Sequence, residues 1–64
     1  MAGADPRHAL ARLSPDERQA LDLAYFAGLT HTQIAARMGL PVGTVDTHLR
    51  LALKKLTATL MATG

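Results

Sequence analysis

An all-α domain of four short helices is the fold this sequence predicts, on three observations. Only Tyr25 and Phe26 are aromatic among the 64 residues, so the core must come from Leu, Ala, Val, Ile and Met, which suit close-packed helices better than stacked sheets. Two strings, Ser14-Pro15-Asp16-Glu17 and Thr30-His31-Thr32-Gln33, repeat the Ser/Thr-x-x-Glu/Gln pattern that starts a helix. From Val45 onward, Leu49, Leu53, Leu56 and Leu60 follow at steps of four, four, three and four, which is helical spacing. A chain of this size buries only about 60% of the surface its unfolded form exposes, so its stability is marginal and a packed partner would help.

In order along the chain, residues 1–5 are small or polar and read as a disordered tail ahead of one domain spanning residues 6–64. Residues 6–13 have the makings of about two turns of helix, with Pro6 at the first helical position and Leu10 and Leu13 on one side. Ser14 caps a second helix that should run to about Ala27, where Gly28 supplies the permissive backbone that ends it. Thr30 caps a third, short helix stopping near Met38, with Ile34, Ala35 and Met38 inward. Gly39-Leu40-Pro41 leaves room only for a tight turn, and the last helix should begin near Val42 and fray beyond Leu60. Its apolar stripe is too short for a coiled-coil seam, which needs at least about three heptads.

The segment from Thr30 to Leu56 has small and apolar residues where two helices crossing at a tight turn require them. Ala35 gives the first helix a flat spot, Gly39 lies at the turn, and Val45 anchors the second helix inward. That is a helix-turn-helix, whose second helix fits the major groove of B-DNA. On its far side, Gly43, Thr47, Arg50 and Lys54 form one stripe and Thr44, His48, Leu51 and Lys55 the next. Arg50 offers a bidentate donor to guanine, Thr47 a contact to a base edge or thymine methyl, and Lys54 and Lys55 phosphate neutralisation. The plain alternative is a solvated helix face whose basic residues complement the helix C-terminus. Asp46 is awkward on such a helix. It either accepts from a cytosine amino group, pairs with Arg50 four residues on, or simply favours the helix N-terminus.

Seven Lys plus Arg against five Asp plus Glu give a formal charge of only +2, a weak footprint for a nucleic-acid binder. The charge is polarised, however, with Arg50, Lys54 and Lys55 in the last helix and Asp16, Glu17 and Asp22 in the second. There is no cysteine, hence no disulfide and no thiolate zinc site. His8, His31 and His48 fall on three different expected helices without ligand spacing, so no metal or other cofactor is expected. His31 reads as a first-turn residue and His48 as a groove-facing donor or a partly buried polar group. The only serine, Ser14, is committed to capping, and Asp16 and Glu17 suit a helix N-terminus better than acid-base catalysis. No enzyme and no small-molecule substrate are expected. No apolar run approaches a membrane span, and residues 1–8 lack signal-peptide character, so a cytoplasmic protein is the expectation.

Leu13-Ser14-Pro15, Tyr25-Phe26-Ala27-Gly28-Leu29, Gln33-Ile34-Ala35 and above all Pro41-Val42-Gly43-Thr44-Val45 together resemble region four of bacterial extracytoplasmic-function sigma factors. The resemblance covers Leu13 to Leu56. It implies a small helical bundle whose last helix binds the minus-35 promoter element, while other surfaces hold core RNA polymerase or an inhibitory anti-sigma factor. The family's motif after Gly-Thr-Val usually carries more basic residues than the Asp46, Thr47, His48, Leu49, Arg50 and Leu51 found here. That departure bears on affinity and promoter sequence, not on the fold, because Val45 and Leu49 remain. Carried over by position, Thr47 and Arg50 are the candidate base readers and Thr44, Lys54 and Lys55 the candidate phosphate contacts. Asp46 and His48 stay open. A whole sigma factor also needs an upstream domain that 64 residues cannot contain, so a fragment or a free-standing relative is expected.

Two other readings compete. Thr44-Val45-Asp46-Thr47-His48 with a Lys-Leu end also looks like the DNA-binding domain of LuxR-type response regulators. From a different class, a sigma-like module could bind an anti-sigma factor or polymerase without reading promoters, which the acidic Asp46 and apolar Leu51 favour.

Overall fold

A computed structural model of the chain describes residues 10–61. They form three helices and no strand: α1 (Pro15–Tyr25), α2 (His31–Met38) and α3 (Val42–Met61). The expected tail and most of the expected helix over residues 6–13 lie outside the described residues. What is described of the latter, residues 10–13, closes a turn in which the Leu13 amide donates to the Leu10 carbonyl (3.1 Å).

Both expected helix starts are capping boxes. The Ser14 hydroxyl accepts from the Glu17 amide (3.1 Å) while the Ser14 amide donates to Glu17 Oε1 (2.9 Å), and Thr30 and Gln33 reproduce the exchange at 3.2 and 2.9 Å. Each box satisfies amides that the first turn leaves without intrahelical partners. α1 ends at Tyr25, two residues before the expected Ala27, because the chain turns into a left-handed glycine at Gly28 (φ 70°). The Leu29 amide there reaches back to the Leu23 carbonyl (3.0 Å). α2 ends the same way at Gly39 (φ 68°), with the Leu40 amide on the Ala35 carbonyl (3.0 Å). In both cases the leucine after the glycine packs against the core, the hydrophobic contact that accompanies this type of stop. The Pro41 carbonyl then accepts from the Thr44 and Val45 amides and opens α3 without a capping side chain.

The core is Ala20 and Leu21 of α1, Ile34 and Ala35 of α2, and Val45, Leu49 and Ala52 of α3. Here the structure corrects the expected stripe on α3. Leu53, placed inward by sequence, is 43% exposed, and Ala52 is fully buried in its stead. At 3.6 residues per turn, Ala52 lies about 20° from Val45 around the helix and Leu53 about 80° away. The contact line therefore runs Val45, Leu49, Ala52, Leu56 and Thr59, and the small Ala52 lets the helices approach closely.

Among the described residues two side-chain hydrogen bonds tie α3 to the rest. The Glu17 carboxylate, 4% exposed, accepts from Lys55 Nζ at 2.7 Å, and Arg12 Nη1 donates to the buried Thr59 hydroxyl at 2.8 Å. The hydrogen bond from Lys55, reinforced by the Ser14 amide, holds the Glu17 carboxyl below its ordinary value despite burial, which acts the other way.

A lowered carboxyl value means that the ionised form is favoured in the folded state. The stabilisation is thus present above the ordinary glutamate value, about 4.3, and lost as pH falls from there through the lowered one. Lys55→Met, which keeps the stem but removes the donor, is expected to destabilise by about 1–3 kcal/mol at neutral pH, toward the low end because the ammonium is partly solvated. The same variant should lose less stability than the parent between pH 6 and 3, measured by urea denaturation. For the core, Ala52→Leu should cost about 1–3 kcal/mol by overpacking and Leu53→Ala about 1 kcal/mol or less. The reverse order in thermal melts would place the contact line on the wrong side of α3.

Candidate nucleic-acid interface

With Val45, Leu49 and Ala52 buried, the opposite face of α3 is fixed by the helical period. Thr47, Arg50 and Lys54 lie roughly 140–200° from Val45 around the axis, and all three are exposed. The helix that carries them continues without a break to Met61.

Each side chain is held differently. The Thr47 hydroxyl donates to the Gly43 carbonyl (3.0 Å), which commits its hydrogen, while the residue as a whole stays exposed. Such a threonine offers an acceptor to a cytosine or adenine amino group, or apolar contact to a thymine methyl. Arg50 is 81% exposed, and its Nε lies 3.0 Å from Asp46 Oδ2. The ion pair is at the Nε edge, and among the described residues the two terminal nitrogens of the fork make no hydrogen bond. Among the described residues Lys54 makes no ion pair, as suits a phosphate contact.

The other sequence candidates sit on the flanks. Thr44 is half-buried at the start of α3. His48 is 22% exposed and turns its Nε2 toward Asp16 of α1, at 4.0 Å. Lys55 is occupied by Glu17, though its ammonium keeps some solvent contact. Both belong to the arc about 60–80° from Val45, on the side where α1 begins. Asp46 occupies the other flank, its Oδ1 3.6 Å from Nδ1 of His31 at the start of α2. By its sequence position His31 is a first-turn residue of α2. Its place beside Asp46 brings it to the same surface as Arg50, and no spacing within either helix signals that, since the contact depends on how α2 crosses α3. Among the described residues no group of three His, Asp or Glu side chains is placed to hold a metal, and no helix is long and apolar enough to cross a membrane.

A second surface stands apart from this face. Leu10, Leu21, Tyr25, Phe26, Leu53 and Leu56 line an apolar groove rimmed by Arg18 and Asp22, and Phe26 is 88% exposed. Tyr25, 65% exposed, stands beside it.

Residues 7–56 match the family model for sigma-70, region 4. The chain is 46% identical over 48 residues to the ECF RNA polymerase sigma factor RpoE of Cereibacter sphaeroides, covering 75% of this chain and 26% of that protein. It is 38% identical over 56 residues to the ECF RNA polymerase sigma factor SigL of Mycobacterium tuberculosis, covering 88% and 32%. To SigK of Mycobacterium bovis it is 34% identical over 47 residues, covering 73% and 25%. The chain thus spans about a third or less of the length of these curated relatives. Three helices ending in a helix-turn-helix, with the second helix of that motif anchored on one side and open on the other, agree with these matches: the chain belongs to region 4 of the extracytoplasmic-function sigma factors, a DNA-binding domain and not an enzyme.

Proposed function

We propose that this domain binds the minus-35 promoter element in the major groove through α3 and contacts core RNA polymerase through a separate surface, acting in the cytoplasm under the control of an anti-sigma factor. The observation that carries the reading is the outward presentation of Thr47, Arg50 and Lys54 on a helix whose rear is seated by Val45, Leu49 and Ala52. In this assignment Arg50 and Thr47 read bases, Lys54 neutralises phosphate, and Thr44 approaches the backbone at the helix start. His48 and Lys55 contribute from the flank. Lys55 reaches phosphate only with the donors that Glu17 leaves open.

The apolar groove around Phe26 and Leu53 supports the polymerase or anti-sigma contact, because it lies on the flank of α3 rather than on its outward face. The same groove, with acidic Asp46 in the second turn of α3 and Leu51 exposed, favours the second reading, a sigma-like module that binds protein partners without reading promoters. The response-regulator alternative is set aside by the region 4 match.

Fluorescence anisotropy against a duplex DNA library across a salt series separates the two readings. Weak, sequence-biased binding is expected, with Lys54→Ala lowering the salt slope by about 1 and Arg50→Ala relaxing one base preference at a cost of about 1–3 kcal/mol. Affinity no greater than that of an uncharged control at low salt would replace promoter reading with the interaction-module reading. Phe26→Asp should reduce co-purification of core polymerase by about 5-fold or more, as loss of an aromatic anchor does. Unchanged recovery would move the protein-contact surface elsewhere.

A further inference from the structure

We propose that Asp46 is a positioning residue for base reading: it grips Arg50 by the Nε edge so that the guanidinium meets a guanine end-on, giving sequence discrimination at the expense of general DNA affinity. The inference rests on promoter reading by α3, as proposed above, and concerns which residue sets its specificity.

The geometry is a relay across two helices. Asp46 Oδ2 lies 3.0 Å from Arg50 Nε, and Oδ1 lies 3.6 Å from His31 Nδ1 on α2. One carboxylate oxygen therefore faces the reading side chain and the other faces the body of the domain. Arg50 is otherwise open to solvent, and a long side chain in that setting samples many rotamers. A carboxylate beside its Nε biases that freedom toward rotamers that hold Nε at Asp46.

That choice of edge has a chemical consequence. Arginine can grip guanine O6 and N7 either side-on, through Nε and one terminal nitrogen, or end-on, through both terminal nitrogens. The side-on grip requires Nε to leave Asp46 whereas the end-on fork keeps the ion pair, so the pair biases the approach angle toward the end-on mode. The free lone pairs of Asp46 are suited to accept from the amino group of a cytosine or adenine at the neighbouring step. The ligand so defined is duplex DNA with a guanine opposite Arg50 and an amino-bearing base beside it in the major groove.

Charge works in the opposite direction. Asp46 offsets the positive charge of Arg50 and repels phosphate on every sequence, so it lowers affinity for random duplex. A residue that only repelled would weaken binding uniformly. One that positions Arg50 must weaken binding and sharpen choice together.

The test is competitive selection from a randomised duplex pool with the 64-residue chain and its Asp46→Ala, Asp46→Asn and Arg50→Ala variants, each checked for helical content by circular dichroism. The parent should prefer guanine at one position by about 5-fold or more, and Arg50→Ala should abolish that preference. Asp46→Ala should raise affinity for random duplex at least about 2-fold while cutting the guanine preference to less than half. Asp46→Asn, which keeps an acceptor for Nε–H, should fall between the parent and Asp46→Ala. A guanine preference in Asp46→Ala equal to or sharper than that of the parent overturns the proposal while leaving promoter reading intact. Absence of binding by the parent to any duplex at low salt removes promoter reading itself, and this proposal with it.

Discussion

The close seating of α3 on α1 and α2 at Ala52 is the constraint on which the rest of the structure depends. Ala52 is fully buried between Leu49 and Leu56 on α3, in one core with Ala20 and Leu21 of α1 and Ile34 and Ala35 of α2. This fixes the rotation of α3 about its own axis, and the rotation decides which residues face out. A shift of one residue in the contact line would turn the helix by about 100° and bring a flank to the front in place of Thr47, Arg50 and Lys54.

Polar contacts reinforce that rotation from both flanks. On one side the buried Glu17 carboxylate takes Lys55 Nζ while His48 turns toward Asp16. On the other, Asp46 stands between His31 and Arg50. Glu17 has a double duty, since the same Oε1 closes the α1 capping box and receives Lys55. The start of one helix and the middle of another are thereby joined through a single atom. Burial of a charge is costly unless it is paired and hydrogen-bonded, and Glu17 is both.

The same contacts account for the modest positive character of the outward face. Of the basic residues on α3, Lys55 is drawn sideways to α1 and Arg50 carries a carboxylate at its Nε, which leaves Lys54 as the plainest phosphate partner. A domain of this kind has little electrostatic affinity to spare, so under the proposed promoter reading a second contact that raises the effective local concentration would supplement it. The apolar groove beside Phe26 is suited to that second contact.

Much of the fold was legible in the residues themselves, because the signals are local. The Ser14 and Thr30 capping boxes, the left-handed stops at Gly28 and Gly39 and the tight turn before Val42 each depend on neighbours within about five positions along the chain. The inward set Ile34, Ala35, Val45 and Leu49 followed from periodicity. The family resemblance was carried by that same turn. What only the tertiary structure decided is the contact line beyond Leu49 and the fate of the charged side chains. Sequence pattern favours the large Leu53 over the small Ala52, whereas close helix packing selects the residue that takes least room. Lys55, His48 and His31 likewise found their partners across helices, and such pairings depend on crossing geometry that no spacing along one helix encodes.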